Sequence, residues 1–397
     1  MGVTRDLGPS DSQSLSYEAF GNAEDYSKVI VNIDPDQTMF LSSFGEADDA
    51  VETKFGWMTE GLRPPQQNAH LEKEDYSSAK VGSVAGWENN IQLFQNSGYV
   101  SNVQQKVKKI YNEQDELNRQ KTRAFTEQAR DMEYMLVNND VRRIGTNNVA
   151  ALSGGVPYFL KTETVSATLT VASGIVSTGE VEHKLETGDF VYFTAGTMPT
   201  GLSAGTLYYV RLDATNPTTA FILFDTMKDA VENVTANQVK PSTTGATLVI
   251  VKNNVISLGG STDFTVDDMN NVMQMCYDRG GNPTEAIMSG KKKRRFSSIV
   301  SALGTTQRKS GDRKMDIVTD VFQSDFGVIT AKAHRMYPDN RIDFLDKQYM
   351  ELKWFDRPHE VPDLAKKGNY KEFVLEAALG LQGTQPKASG SLVDIKR

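Results

Sequence analysis

The chain has 397 residues, 39% hydrophobic and 24% charged, enough apolar content for two or three packed cores. Its net charge of −8 argues against a general nucleic-acid binder, which carries a basic face. The single cysteine, Cys276, excludes an internal disulfide and any multi-cysteine zinc or iron–sulfur site, and no run approaches the roughly 20 apolar residues of a membrane-spanning helix.

Met1 to Ser27 is polar, rich in Ser, Gly and acidic residues, and has no apolar stretch of the secretory type; it reads as an extended arm. Val29 to Ser43 is a short element entering a loop through Ile33-Asp34-Pro35-Asp36. Glu52 to Tyr99 reads as a long two-stranded excursion with a charged tip, and loops of that length without their own core are usually functional. From Val103 the apolar residues Val107, Ile110, Leu117, Ala124, Met132 and Leu136 recur near the helical period. The periodicity predicts one helix from about Asn102 to Val137, roughly 50 Å long. A single apolar seam with no matching partner helix suits a spine lying across a sheet.

Between Thr162 and Asn254 the texture changes to Thr, Val, Gly and Tyr with short apolar runs, such as Phe190-Val191-Tyr192-Phe193 and Leu207-Tyr208-Tyr209-Val210. Such β-branched and aromatic runs bounded by turn formers read as strands of a β module inserted into a host domain. The host resumes near Phe264. A helix follows over Asp267 to Asp278 with Thr265 as its cap, then a Gly280-Gly281-Asn282-Pro283 turn and a buried strand, Glu285 to Ser289. Mixed strands and helices continue to about Leu379, which indicates α+β rather than alternating βαβ.

Candidate chemistry is sparse. His70, His183, His334 and His359 are scattered without metal-ligand spacing, and Cys276 sits beside Met273 and Met275 as a core residue would. Gly290-Lys291 fails the phosphate-loop test, because Glu285 stands where the first Gly belongs and Lys292 where Ser or Thr belongs. The one strong charge run, Lys291-Lys292-Lys293-Arg294-Arg295, is a candidate contact for DNA or an acidic partner. Cations in the first turn of a helix oppose its dipole, which suggests an acidic neighbour, with another subunit as one source.

The flanks of the β module, taken together, resemble the major capsid proteins of tailed phages with the HK97-like fold, in a podophage-type subfamily. Asp34-Pro35-Asp36-Gln37-Thr38-Met39-Phe40-Leu41-Ser42 is similar to that family's "SP-x-DTPF-x-S" segment, and Gly56-Trp57-Met58-Thr59-Glu60-Gly61-Leu62 to its "EWQTD-x-L" strand. Asn90-Ile91-Gln92-Leu93-Phe94 resembles "NYTQIF", Arg130-Asp131-Met132-Glu133 "KRDME", and Val321-Phe322-Gln323-Ser324-Asp325-Phe326-Gly327 "VYVSDFG". Met39 and Met58 depart from the pattern, and the β module is the larger departure.

The resemblance implies an N-terminal arm (1–28), a start of the peripheral domain (29–51), an extended loop overlapping a neighbour (52–100), and a spine helix leading towards the axial domain (101–161). It then implies an inserted β domain (162–255), an axial domain (256–322) and a peripheral return (323–397). Function would be self-assembly into hexamers and pentamers of an icosahedral head around double-stranded DNA, without catalysis or cofactor. A separate scaffolding protein, a portal and a cement or decoration protein are the implied partners, and the virion is the implied location. Phe55, Trp57 and Phe94 are candidate inter-subunit anchors, with packing inside the subunit as the equal alternative. Some members of the fold crosslink a loop Lys to an Asn of another subunit; Lys73 and Lys80 lie in that loop, with no motif marking either. The rival reading is an attachment or decoration protein whose β module binds a ligand.

Overall fold

A computed structural model describes residues 38–396, except 63–64, 66, 71, 74, 76–83, 108–114, 162–163, 169, 173, 179–182, 184, 195–200, 204–205, 241–246, 252–253, 261, 303–320, 363 and 366–367. Capping residues decide where its helices begin. The predicted single long helix is two. Asn102–Lys106 starts at Ser101, whose hydroxyl accepts from Val103 N–H, and the backbone turns extended at Val107. A second helix, Glu116–Asn138, starts at Asp115, which accepts from the N–H groups of Leu117 and Asn118. The continuous helix is therefore about 35 Å long rather than 50 Å. Apolar periodicity runs across the break, but Asp115 offers a cap that periodicity does not register.

This long helix lies on a four-stranded sheet ordered Gly45–Glu46, Met350–Glu360, Tyr370–Gly383, Gln92–Ser101. Met132, Met135 and Leu136 pack with Phe94, Leu352, Leu379 and Leu381 in one core. Buried Gln128 donates its amide nitrogen to the carbonyls of Phe94 and Leu375, so that donor is paired inside the layer.

A second, six-stranded sheet runs Val255–Ser257, Gly390–Val393, Ile342–Leu345, Glu285–Met288, Gly327–Ala333, Val321–Ser324. Helices Val266–Asp278 and Gly290–Ala302 cover it, and Phe264, Met269, Val272, Phe296 and Phe344 fill the core between. The first helix carries the full reciprocal cap: Thr265 Oγ1 accepts from Asp268 N–H, and the Asp268 carboxylate accepts from Thr265 N–H. It ends in a left-handed turn at Gly280, φ +77°. Gly281 follows because a Cβ there would stand 2.3 Å from the Ala388 carbonyl oxygen.

Two expected boundaries move. The break at 322/323 falls inside a hairpin, since Val321–Ser324 pairs with Gly327–Ala333, whose other edge pairs with Glu285–Met288. The strands Ile342–Leu345 and Gly390–Val393 also belong to the six-stranded sheet, so only Met350–Glu360 and Tyr370–Gly383 return to the four-stranded one. The excursion is also shorter than expected. Its two strands, Lys54–Glu60 and Val84–Asn90, pair with each other, whereas Gln92–Ser101 is an edge strand of the four-stranded sheet.

The third sheet has eight strands, all from within 164–251. Thr164–Thr168 pairs antiparallel with Thr247–Val251, so the chain enters and leaves this unit on adjacent strands. Val255 then pairs with Ser391, placing the chain in the six-stranded sheet immediately after the unit ends, ahead of the expected return near Phe264. Val191, Phe193, Val210, Phe221 and Leu223 form the sheet's own core. Phe190 and Tyr192, by contrast, are buried in the core of the six-stranded unit.

Candidate inter-subunit surface

The hairpin Lys54–Glu60/Val84–Asn90 is fixed at its base and bare at its far end. In its register Phe55 faces Asn89, Trp57 faces Trp87 and Met58 faces Gly86. Alternation then puts Phe55 and Trp57 on one face and Met58 on the other. Phe55 is buried against Ile91 and Ala378, and Trp57 stacks on Phe55 at 6.0 Å and meets Phe159 at a tilt at 5.8 Å, ring centre to ring centre. Asn89 completes the attachment: its amide donates to the carbonyls of Gly154 and Leu381, and its carbonyl oxygen accepts from Gly154 N–H. Glu88 bridges Lys54 at 2.9 Å and Arg142 at 2.7 Å, and these two cations hold its carboxyl below the usual carboxylate range.

Beyond this base the described apolar side chains are exposed. Met58 is 82% exposed and Leu62 97%, with Val84 also exposed. Met58, Leu62 and Val84 thus leave apolar area uncovered at this end of the hairpin. Sequence reading selected the aromatic residues and passed over Met58 and Leu62. The signal was available, since strict alternation sends Met58 away from the face that Phe55 and Trp57 occupy.

The candidate anchors divide accordingly. Phe55 and Phe94 are buried in the chain's own cores, the within-subunit packing that stood as the equal alternative. Trp57 is half-buried. Lys73 is exposed in the stretch joining the two strands, and Lys80 lies outside the described residues.

The basic run is also divided by the fold. Lys291 and Arg294 are exposed on the helix Gly290–Ala302. Lys292 points inward, its side chain only 3% exposed, with Nζ 2.9 Å from Asp263 Oδ1 and donating to the Lys396 carbonyl. Arg295 approaches the other Asp263 oxygen at 3.5 Å, and Lys293 Nζ lies 5.0 Å from the Phe296 ring centre. Asp263 of the same chain is thus an acidic neighbour of the charge run.

Among the described residues no three His, Cys, Asp or Glu side chains gather as a metal ion would need, and no described helix is long and apolar enough to cross a membrane. Cys276 is fully buried, and burial pushes its thiol up to about 12, far from the thiolate a nucleophile requires.

The sequence model of the SU10 major capsid protein family matches residues 11–396. The chain belongs to that family. Solved structures agree on the fold. The chain is similar to the subunit in the cyanophage A-1(L) capsid asymmetric unit at 12% identity and a TM-score of 0.54, covering 95% of this chain and 98% of that one. It is also similar to the capsids of the empty GTA particle (10% identity, TM-score 0.53, 98% and 99% covered) and the native one (9%, 0.51, 98% and 100%). No curated protein matches the chain. This major capsid protein shares the fold of solved capsid subunits, and its role is to form the capsid of a phage virion by association with itself.

Proposed function

We propose that this capsid protein forms hexamers and pentamers of an icosahedral head enclosing double-stranded DNA, and that the hairpin Lys54–Asn90 reaches over the neighbouring subunit. The observation that carries the reading is the contrast within one hairpin. Its base is locked by Asn89, Phe55 and Glu88, while Met58, Leu62 and Val84 are exposed. Rings of such heterologous contacts close on themselves, and overlapping elements multiply the area buried for each subunit.

In this reading the four-stranded sheet and long helix are the peripheral domain, the six-stranded sheet is the axial domain, and 164–251 is an inserted β domain. The N-terminal arm read from the sequence, residues 1–28, lies outside the described residues. A separate scaffolding protein, a portal and a cement or decoration protein are the further partners, and the subunit's own role is structural, with no catalytic step. Expression of the full chain, followed by sedimentation and electron microscopy, tests the proposal. Shells, sheets or capsomers are expected; a stable monomer, with or without a scaffolding protein, overturns it.

A further inference from the structure

The chain carries −8 overall, yet residues 291–314 hold nine Lys and Arg against one acidic residue, Asp312. Within the described part of that stretch the fold sorts the charges by purpose. Lys292 is internal, joined to Asp263 and to the Lys396 carbonyl. That bond brings Lys396, itself exposed, beside the first turn of the helix Gly290–Ala302, where it adds a cation near the run. Lys291, Arg294 and Arg295 stand three and four residues apart and share one helix face. Lys291, Arg294 and Lys396 have no ion pair among the described residues. Three cations in a helix's opening turns work against its dipole, at about 0.3–1 kcal/mol each, a disadvantage that a bound polyanion reverses.

We infer that Lys291, Arg294, Arg295 and Lys396 form a surface that contacts the phosphate backbone of the packaged DNA. The inference rests on the head-forming reading above. The chemistry favours phosphates over bases: the exposed cations are Lys and Arg without an exposed aromatic side chain among them to stack on a base. Contact of that kind is independent of sequence, as a shell holding a whole genome requires. A patch of three or four cations in a chain otherwise negative binds weakly and lets the DNA leave, because affinity grows with every phosphate neutralised.

The test uses full-length capsomers and a fluorescein-labelled 20-base-pair duplex, followed by anisotropy from 50 to 200 mM salt. Three neutralised phosphates give a log–log slope of about −2.7, a loss of about 40-fold across that range. The double variant K291Q/R294Q is expected to flatten the slope by about 1.8 while keeping the native melting curve, since both side chains are exposed. Duplexes of different sequence should bind equally. An unchanged slope in the variant, or no binding at 50 mM salt, overturns the inference. So does tighter, Lys291-dependent binding of poly-L-glutamate than of the duplex, which would assign the patch to an acidic protein segment. Electron microscopy of the same preparation separates the two levels: shells without DNA affinity sink only this inference, whereas absence of any assembly sinks the function on which it rests.

Discussion

Glu133 and His334, 201 residues apart in the chain, meet in the core with Oε1 2.8 Å from Nε2. The same carboxylate accepts from the backbone N–H of Phe40 at 2.8 Å and of Leu41 at 2.9 Å. His334 Nδ1 accepts from Met336 N–H, so its proton sits on Nε2 and points at Glu133. Phe40 stacks on the imidazole, ring centres 5.7 Å apart. One buried carboxylate therefore joins the start of the described chain, the long helix and the end of a six-stranded-sheet strand.

Replacing it by E133A leaves two buried donors and one part-buried donor without an acceptor and should lower unfolding stability by about 3–5 kcal/mol. E133Q should not rescue, because its amide turns a donor towards one of those N–H groups. Denaturant unfolding of the purified protein measures both, and protease cleavage before Phe44 should quicken in parallel. Native stability in E133A would show that the junction is held by the aromatic packing alone.

The eight-stranded sheet is seated on the six-stranded unit rather than tethered to it. Phe190 and Tyr192 complete the latter's core, Tyr209 donates to Asp278 at 2.7 Å, and the Arg279 guanidinium lies 4.0 Å from the Phe190 ring centre. F190A should cost about 3–5 kcal/mol and be felt in both units. Excision of 162–254 should uncover the same core and bring aggregation, instead of the intact capsomer that a free passenger domain would leave. Soluble, assembling protein after that deletion would refute the shared core.

Gly380 makes room for the hairpin. A Cβ there would stand 2.7 Å from Phe55 Cε1 and 3.1 Å from the Asn90 carbonyl oxygen. G380V should lift Phe55 from its seat while the four-stranded sheet survives, so limited proteolysis between Lys54 and Asn90 should speed up and shell yield should fall. Proteolysis at the native rate would mean that Asn89 suffices to hold the hairpin.

Glu285 supplies a pH test. Burial alone raises its carboxyl, but the Lys332 ammonium at 2.5 Å and that of Lys347 at 2.8 Å outweigh burial and leave it below the ordinary value. A folded-state value below the unfolded one, about 4.3 for glutamate, makes its stabilisation complete above that pH. The contribution is lost as pH falls through the folded-state value. The stability difference between wild type and E285Q should therefore be constant from pH 7 to 5 and shrink below about pH 4. Denaturation midpoints across that range check it, and a difference that persists at pH 3 would rule the mechanism out.

Sequence by itself determined what depends on near neighbours. Thr265 and Asp268 write the start of a helix within four residues, and Gly280-Gly281 its end. Short β-branched runs from Thr162 to Asn254 announce a separate sheet, because alternation and turn residues act locally. Dispersed matches to a family pattern identified the subunit, since their order survives while their spacing in the fold is unknown. Tertiary structure alone decided which charges are free and which apolar residues are uncovered. Lys292 and Lys291 are adjacent and alike in sequence, yet only Lys292 reaches Asp263, 29 residues away. Phe55 and Met58 lie on one strand, yet Ile91 and Ala378 cover only the first. Burial and pairing are set by contacts between segments far apart along the chain, and local periodicity carries no record of the partner.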